Sequence, residues 1–497
     1  MNTHTLAPAI PLLPKPYHGL QLNHCKTVSC KHFGSHHPEH YVLQRSNPDK
    51  PILVCRECGA FPPILNNQDV ADEVQRLTQH QYSGLSACRH DGCPHAGLPV
   101  LTHRHLYHAF GFSGDRQRYR CKSCQTTFVD RWSGNNAKLT LQQTLLALLF
   151  TGHAVRDICR RLALNPKTFY EQIEQIASRC RHQLALFDAR FCKQADHLSL
   201  ASDLRALQPG SHNGVHWIAS CEAQSGYVLA QDVNYQRDDH APQHSQHDPY
   251  THGTRFMTSP PPVSAAVCAP VHETQGLLAR VDATYRDVLS RPNLEDPLSR
   301  QPHLHMPKKG CLIRPQYTVY AHYLHLQDML TDNTALAIFM PQEPLLRSAC
   351  ISVFLPRIQA NTVDPVYVET DPLWQHGQAA GRIDIVLMSW WRDRWAFTRH
   401  DDIGKGICHL GGKKDNAAYW LQTASHHTIT DYQQRFEDQF HALVHEPRRK
   451  LRPAGLLPLL DIYRAWHNLC RQNKVGVTPA QQLGLVSHPL TLAELLR

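Results

Sequence analysis

At 497 residues the chain is long enough for several domains, and 42% hydrophobic residues supply ordinary packed cores. That composition excludes a wholly disordered chain, and no run approaches the ~18 apolar residues of a membrane helix. The formal charge of +9 is not spread evenly: from Cys88 to His182 there are 14 Lys/Arg against 6 Asp/Glu, a net +8. A local basic patch of this kind selects a polyanionic partner. The N-terminus has no basic start followed by an apolar stretch and a small-residue cleavage site, so a cytoplasmic protein is expected. The 17 cysteines fit that compartment: eight of them form four tight pairs, which in a reducing setting means metal rather than disulfides.

Reading from the front, CKTVSCKHFG (25–34) and CRHDGCPHAG (88–97) repeat one pattern: Cys, a basic residue, three variable residues, Cys, one variable residue, His, one variable residue, Gly. Each is followed by a Cys-x-x-Cys knuckle, CRECGAFPP from Cys55 and CKSCQTTFVD from Cys121. Four thiolates in two short-spaced pairs bind Zn²⁺ tetrahedrally, because two or four intervening residues let both sulfurs face one ion. The predicted sites are Cys25, Cys30, Cys55 and Cys58, and Cys88, Cys93, Cys121 and Cys124, with His32 and His95 as alternative ligands. Both are expected to be structural, the metal supplying folding energy to modules too small for a core of their own. The modules span 20–65 and 84–132, with a short helical linker over 66–86.

The next segment, 138–187, reads as three helices. LTLQQTLLALLF has helical apolar spacing and ends at Gly152, and AVRDICRRLAL is a second, short helix. Asn165 caps a third that opens with Pro166, where the missing amide proton costs nothing. The turn between the second and third fits a helix-turn-helix. The first residues of its last helix, Lys167, Thr168, Tyr170 and Glu171, would face the major groove of duplex DNA. Arg156, Arg160 and Arg161 suit phosphates, as do Arg116, Arg118, Arg120, Lys122 and Arg131 of the neighbouring module. Ile158, Leu162, Phe169, Ile173 and Ile176 are expected to be core.

From about 196 the period changes to two, and HLSLASDL, VHWIASCEA and GYVLAQDVNY read as an antiparallel meander. Residues 236–270, rich in His, Asp, Pro and Ser, read as a loop, part of an insertion near 236–310. YTVYAHYLHLQDML is helical, ALAIFMP a buried strand, LLRSACISVFLPRI helical and PVYVET a strand. Residues 372–415 are mixed, 416–470 mostly helical, and 471–497 form a tail.

The order of cysteine pairs, the basic knuckle RYRCKSCQTTF, the helix-turn-helix and a meander carrying Asp203 resembles bacterial insertion-sequence transposases. The C-terminal Tyr463, His467-Asn468 and TPAQQLGL are similar to that group as well. The resemblance covers roughly 88–235 well and the last 80 residues moderately. It implies a multidomain α+β chain: two small zinc ribbons, an all-α helix-turn-helix, and an α/β RNase H-like domain over 195–470. It also implies DNA strand cleavage and joining at element ends by three acids holding catalytic Mg²⁺, commonly in a homo-oligomer. Asp203, at the end of the first strand, matches the first acid; Glu343, after a buried strand, is the nearest second; Asp431, with Arg435 one turn on, matches the third. Glu at the second position adds a methylene that Mg²⁺, with its exacting octahedron, tolerates poorly. The alternative is a decayed or domesticated relative, a zinc-dependent regulator that binds DNA without cutting it.

Overall fold

The computed structural model describes residues 12–44, 52–130, 139–209, 211–237, 248–257, 276–291, 294–295, 297, 306–331, 334–374, 381–400, 403–411, 416–445 and 451–497. The chain is a mixed α+β protein. Its front carries β1 (Tyr41–Gln44), β2 (Ile52–Cys55), α1 (Asn67–Gln81), β3 (Tyr107–Ser113), β4 (Arg116–Cys121) and β5 (Thr127–Val129). Then come α2 (Leu139–Phe150), α3 (Val155–Arg161), α4 (Pro166–Gln194), β6 (His197–Leu207), β7 (Val215–Glu222), β8 (Val228–Val233) and β9 (Tyr235–Gln236). The middle holds α5 (Leu277–Ser290), β10 (Cys311–Leu312), α6 (Pro315–Met329), β11 (Ala335–Met340), α7 (Pro344–Val353), α8 (Leu355–Gln359) and β12 (Val363–Thr370). The remainder is β13 (Ile383–Met388), β14 (Asp393–His400), β15 (Ile403–His409), α9 (Ala417–Thr423), α10 (His427–Gln439), α11 (His441–Val444), α12 (Pro453–Leu469), α13 (Pro479–Gln482) and α14 (Leu492–Leu495). No helix among the described residues is long and apolar enough to cross a membrane.

Residues group into two compact units. The first comprises Met1–Val74, Asn234–Leu324 and Leu336–Ser425; the second comprises Gln75–Val233, His325–Ala335 and His426–Arg497. In the first unit β11 and β12 are parallel, joined through α7 and α8. β15 then pairs antiparallel with β12, β14 with β15, and β13 with β14. Trp395, Tyr367 and Phe339 are fully buried on these strands, as their aromatic and β-branched composition requires. The predicted insertion near 236–310 contains α5, whose buried Leu277, Val281, Tyr285 and Val288 recur at helical spacing. Residues 372–415, read as mixed, form the β13–β14–β15 meander.

In the second unit β6, β7 and β8 form the predicted antiparallel meander, with every residue of β7 buried. Strand β6 runs to Leu207, so Asp203 lies inside the strand and not at its end, the register continuing through Arg205↔Trp217 and Leu207↔Val215. Helix α12 packs on α4, where Arg464 pairs with Asp188 at 2.7 Å and Arg181 with Asp461 at 2.5 Å. Asn468 of α12 accepts from Val228 N and donates to Val228 O, both at 2.9 Å, bonding the start of β8 as a neighbouring strand would. Tyr463 donates to Tyr432 O at 3.1 Å, and His467 bonds Gly226 O at 3.0 Å. The C-terminal motif is therefore a fastening between α12, β8 and α10.

Burial lowers the pKa of His467 to about 3 and that of His216, on β7, to about 4. Both are neutral in the folded state and take up a proton on unfolding below about pH 6.5. Their stabilisation is complete above that pH and is lost as pH falls toward 4. Going from pH 7 to pH 5 is expected to cost roughly 4 kcal/mol for the pair, at 1.36 kcal/mol per pH unit each. Denaturant unfolding at the two pH values checks this, and His216→Leu should remove about half of the dependence.

Candidate metal centres and nucleic-acid interface

The repeat seen in the sequence is a repeat in space. In each module the glycine closing the first half-site turns the chain at positive φ, Gly34 at 70° and Gly97 at 75°. Its amide donates to the first cysteine's carbonyl, Gly34 to Cys25 at 3.0 Å and Gly97 to Cys88 at 2.9 Å. In the knuckles, Cys55 N donates to Ala60 O at 2.8 Å and Cys121 N to Thr126 O at 3.0 Å. Gly59 (φ 70°) and Gln125 (φ 61°) take the left-handed turn that follows. Gln125 meets this requirement without being glycine.

These turns gather the sulfurs. Cys25 Sγ lies 3.5 Å from Cys58 Sγ, and Cys30 Sγ 3.8 Å from Cys55 Sγ. The corresponding pairs in the second module are Cys88–Cys124 at 3.4 Å and Cys93–Cys121 at 3.7 Å. All four sulfurs of each set lie within 4.8 Å of one another. A tetrahedron with Zn–S bonds near 2.3 Å has sulfur–sulfur edges of about 3.8 Å, so the donor sets fit zinc. Three of the four cysteines in each set are buried. Hydrogen bonds from Thr126 bring the Cys124 thiol down to about 6, whereas burial pushes Cys88 up to about 12. His32 and His95 are not in the ligand sets. Each ring instead places Nδ1 against the third cysteine, 3.8 Å from Cys55 Sγ and 3.4 Å from Cys121 Sγ.

Sequence reasoning missed two residues. Tyr41 accepts from Cys25 N at 2.8 Å and donates to Ser35 O; Tyr107 accepts from Cys88 N at 3.3 Å and donates to Leu98 O at 2.5 Å. Each opens the first strand of its module and is buried in the cluster with the cysteines. The signal was a tyrosine starting each strand, obscured by unequal spacing from the first cysteine.

The modules differ beyond the metal. The described strands of the first, β1 and β2, have four residues each, and its knuckle carries a Lys31–Glu57 ion pair. The second builds the three-stranded sheet β3–β4–β5. The turn before β3, the hairpin and the knuckle bear Arg104, Arg116, Arg118, Arg120 and Lys122, none of which forms an ion pair with a carboxylate among the described residues. Arg118 and Arg120 lie over the Phe110 ring, at 5.7 and 4.2 Å from its centroid. Arg131 lies outside the described residues.

Helices α3 and α4 are joined as predicted. Ala163 takes positive φ (50°), Leu164 N reaches back to Cys159 O at 2.9 Å, and Asn165 Oδ1 caps Thr168 N at 2.8 Å. Ile158, Phe169, Ile173 and Ile176 are buried as expected, while Leu162 is only half-buried. Helix α4 continues to Gln194, past the predicted end at 187, because its second half packs on α12. Of the groove-facing candidates, Lys167 and Tyr170 are exposed and Thr168 half-buried. Arg156 is exposed. Arg160 and Arg161 both bond Asp157, at 2.5 and 2.9 Å, and their hydrogen bonds hold its carboxyl below the usual range. Lys167 stands 4.0 Å from Glu171. The cations of α3 and the start of α4 are thus partly neutralised by neighbouring carboxylates, whereas Arg104, Arg116, Arg118, Arg120 and Lys122 form no such pair among the described residues.

The proposed catalytic acids are each engaged by protein donors. Asp203 accepts from Thr430 Oγ1 at 3.1 Å and from Leu204 N at 2.8 Å. Asp431 pairs with Arg435 at 3.0 Å and His427 at 3.3 Å. Glu343 caps α7 and receives Arg291, a side chain only 1% exposed, at 3.0 and 3.5 Å. None of the three belongs to a metal-capable cluster among the described residues. The remaining cluster, Asp69, Asp72 and His252, is already bound by cationic and amide donors: Arg255 pairs with Asp72 at 2.7 Å, and Gly253 N donates to Asp69 at 2.8 Å.

These features define a mixed α+β protein with two four-cysteine clusters that fit structural zinc ribbons. No protein-family model matches the chain, and no curated protein matches it.

Proposed function

We propose that the protein is a zinc-dependent, duplex-DNA-binding protein built on the plan of an insertion-sequence transposase, acting in the cytoplasm without strand cleavage of its own. The carrying observation is Arg104, Arg116, Arg118, Arg120 and Lys122 of the second ribbon, which form no ion pair with a carboxylate among the described residues. Cations without a carboxylate partner among the described residues suit phosphates, and the capped start of α4 suits base edges. The RNase H-like reading is supported by two features described separately: the β6–β7–β8 meander with Asp203, and the parallel β11–α7–α8–β12 crossover.

The test is binding to the DNA flanking the gene, titrated with salt. Log affinity should fall with log salt at about 0.9 per phosphate contacted. Arg118→Ala with Arg120→Ala should weaken specific and random DNA alike and flatten that slope by roughly two contacts. Lys167→Ala should cost about 1–3 kcal/mol on the specific site alone if it reads a base. No salt dependence in the wild type would remove the DNA reading.

The active transposase, with Mg²⁺ held by three acids and a homo-oligomer at the element ends, is the second reading. The observation in its favour is Asp203, half-buried and in register on β6, with the helix bearing Asp431 packed across it through Thr430.

A further inference from the structure

We propose that the β3–β4 hairpin of the second ribbon is a stacking platform for the bases of single-stranded DNA, with Phe110 as the platform. The inference rests on the DNA-binding reading above and adds a second mode of contact to it.

The hairpin does not present its apolar residues by accident of composition. Tyr107, Tyr119 and Phe128 turn inward and pack with Cys88, Cys93 and Cys121 in the metal-side core. The register then slips between Ala109, opposite Tyr119, and Phe112, opposite Gln117. A bulge of this kind inserts one residue and re-aims a side chain. Gly111 makes it with φ at 69°, and Gln117 Nε2 secures it by donating to Gly111 O at 2.7 Å. The outcome is Phe110 at 41% exposed and Phe112 at 67% exposed, near the tip of a hairpin. Burying either inward would have been the cheaper use of an aromatic ring.

What surrounds Phe110 selects the occupant. Arg118 and Arg120 lie over its ring, and Arg116 stands further along the same strand. A protein partner with an apolar face would leave these cations facing apolar surface without counter-charge. A nucleic-acid strand satisfies both halves of the surface: phosphates meet guanidinium groups, and a base plane meets a ring. Stacked duplex bases offer no face to a ring unless the duplex is opened, so the complementary ligand is a strand with unpaired bases.

The experiment uses the full-length zinc-loaded protein and a fluorescent 15-nucleotide oligo(dT), with the flanking duplex and oligo(U) measured in parallel. Phe110→Ala should weaken oligo(dT) roughly ten-fold or more, as expected for loss of one stacked base, and leave the duplex within about two-fold. Phe110→Trp should restore oligo(dT) affinity, and its added indole emission should be quenched on binding, which a structural role alone would not produce. Unchanged oligo(dT) affinity in Phe110→Ala, or an equal loss on the duplex, overturns the platform. Tighter binding of oligo(U) than of oligo(dT) overturns the assignment to DNA. A wild type that binds the duplex but not oligo(dT) sinks this inference alone, whereas one that binds neither sinks the DNA-binding reading as well.

Discussion

Cys121→Ser is expected to cut bound zinc from two ions per chain to one and to cost roughly hundred-fold in duplex DNA affinity at moderate salt. The argument begins with position. Cys121 is the last residue of β4, has its Sγ 3.7 Å from Cys93 Sγ, and is fully buried. It therefore joins the metal centre directly to the strand that carries Arg116, Arg118 and Arg120. The cluster around it has few buried side chains beyond the cysteines, Val100 and Tyr107 being the buried ones. A core so small folds on metal-binding free energy, which for such sites is of order 10–16 kcal/mol. Serine cannot supply the thiolate, so the hairpin loses its anchor. Metal analysis, zinc-release kinetics and salt-dependent binding read the three consequences. Cys470→Ser, outside both clusters, should retain both ions. Two ions and unchanged affinity in Cys121→Ser would overturn the second site.

The sequence made these metal centres legible for a plain reason: ligand spacing is a local constraint, and the flanking pattern was written twice. The start of α4 was legible because Asn165-Pro166 marks a helix start by chemistry confined to a few residues. Features that depend on distant partners were not. Helix α5 lies just beyond the His-, Asp-, Pro- and Ser-rich stretch of 236–270, and its apolar stripe has meaning only against β12 and β15. The long C-terminal half of α4 is stabilised by Arg464 and Asp461, nearly three hundred residues away. The extent of β6 past Asp203 is fixed by its pairing with β7, which single-strand periodicity does not reveal. The decisive fact about Glu343, its ion pair with Arg291, links residues 52 positions apart across the insertion.

That ion pair yields the second large effect. Glu343→Gln is expected to destabilise the protein by roughly 3 kcal/mol, because removing one member of a buried pair leaves the other uncompensated. Arg291 is 1% exposed, and its other carboxylate partner, Asp287, stands at 3.3 Å and cannot alone replace the lost contacts at 3.0 and 3.5 Å. The capping bond from Leu345 N weakens as well, since a neutral amide oxygen is a poorer acceptor at a helix start than a carboxylate. A ligand for Mg²⁺ behaves in the opposite way. Acids kept for a divalent ion repel one another without it, so neutralising one raises stability, and Mg²⁺ raises the melting temperature of the wild type. Thermal unfolding of wild type and Glu343→Gln, each with and without Mg²⁺, separates the two. Lower stability in the variant with no Mg²⁺ response in either, together with no Mg²⁺-dependent nicking of the flanking DNA, fits an acid retained for the fold. Stabilisation on substitution, or nicking that disappears in both Asp203→Ala and Glu343→Gln, would instead return Glu343 to the catalytic set and make the protein a working transposase.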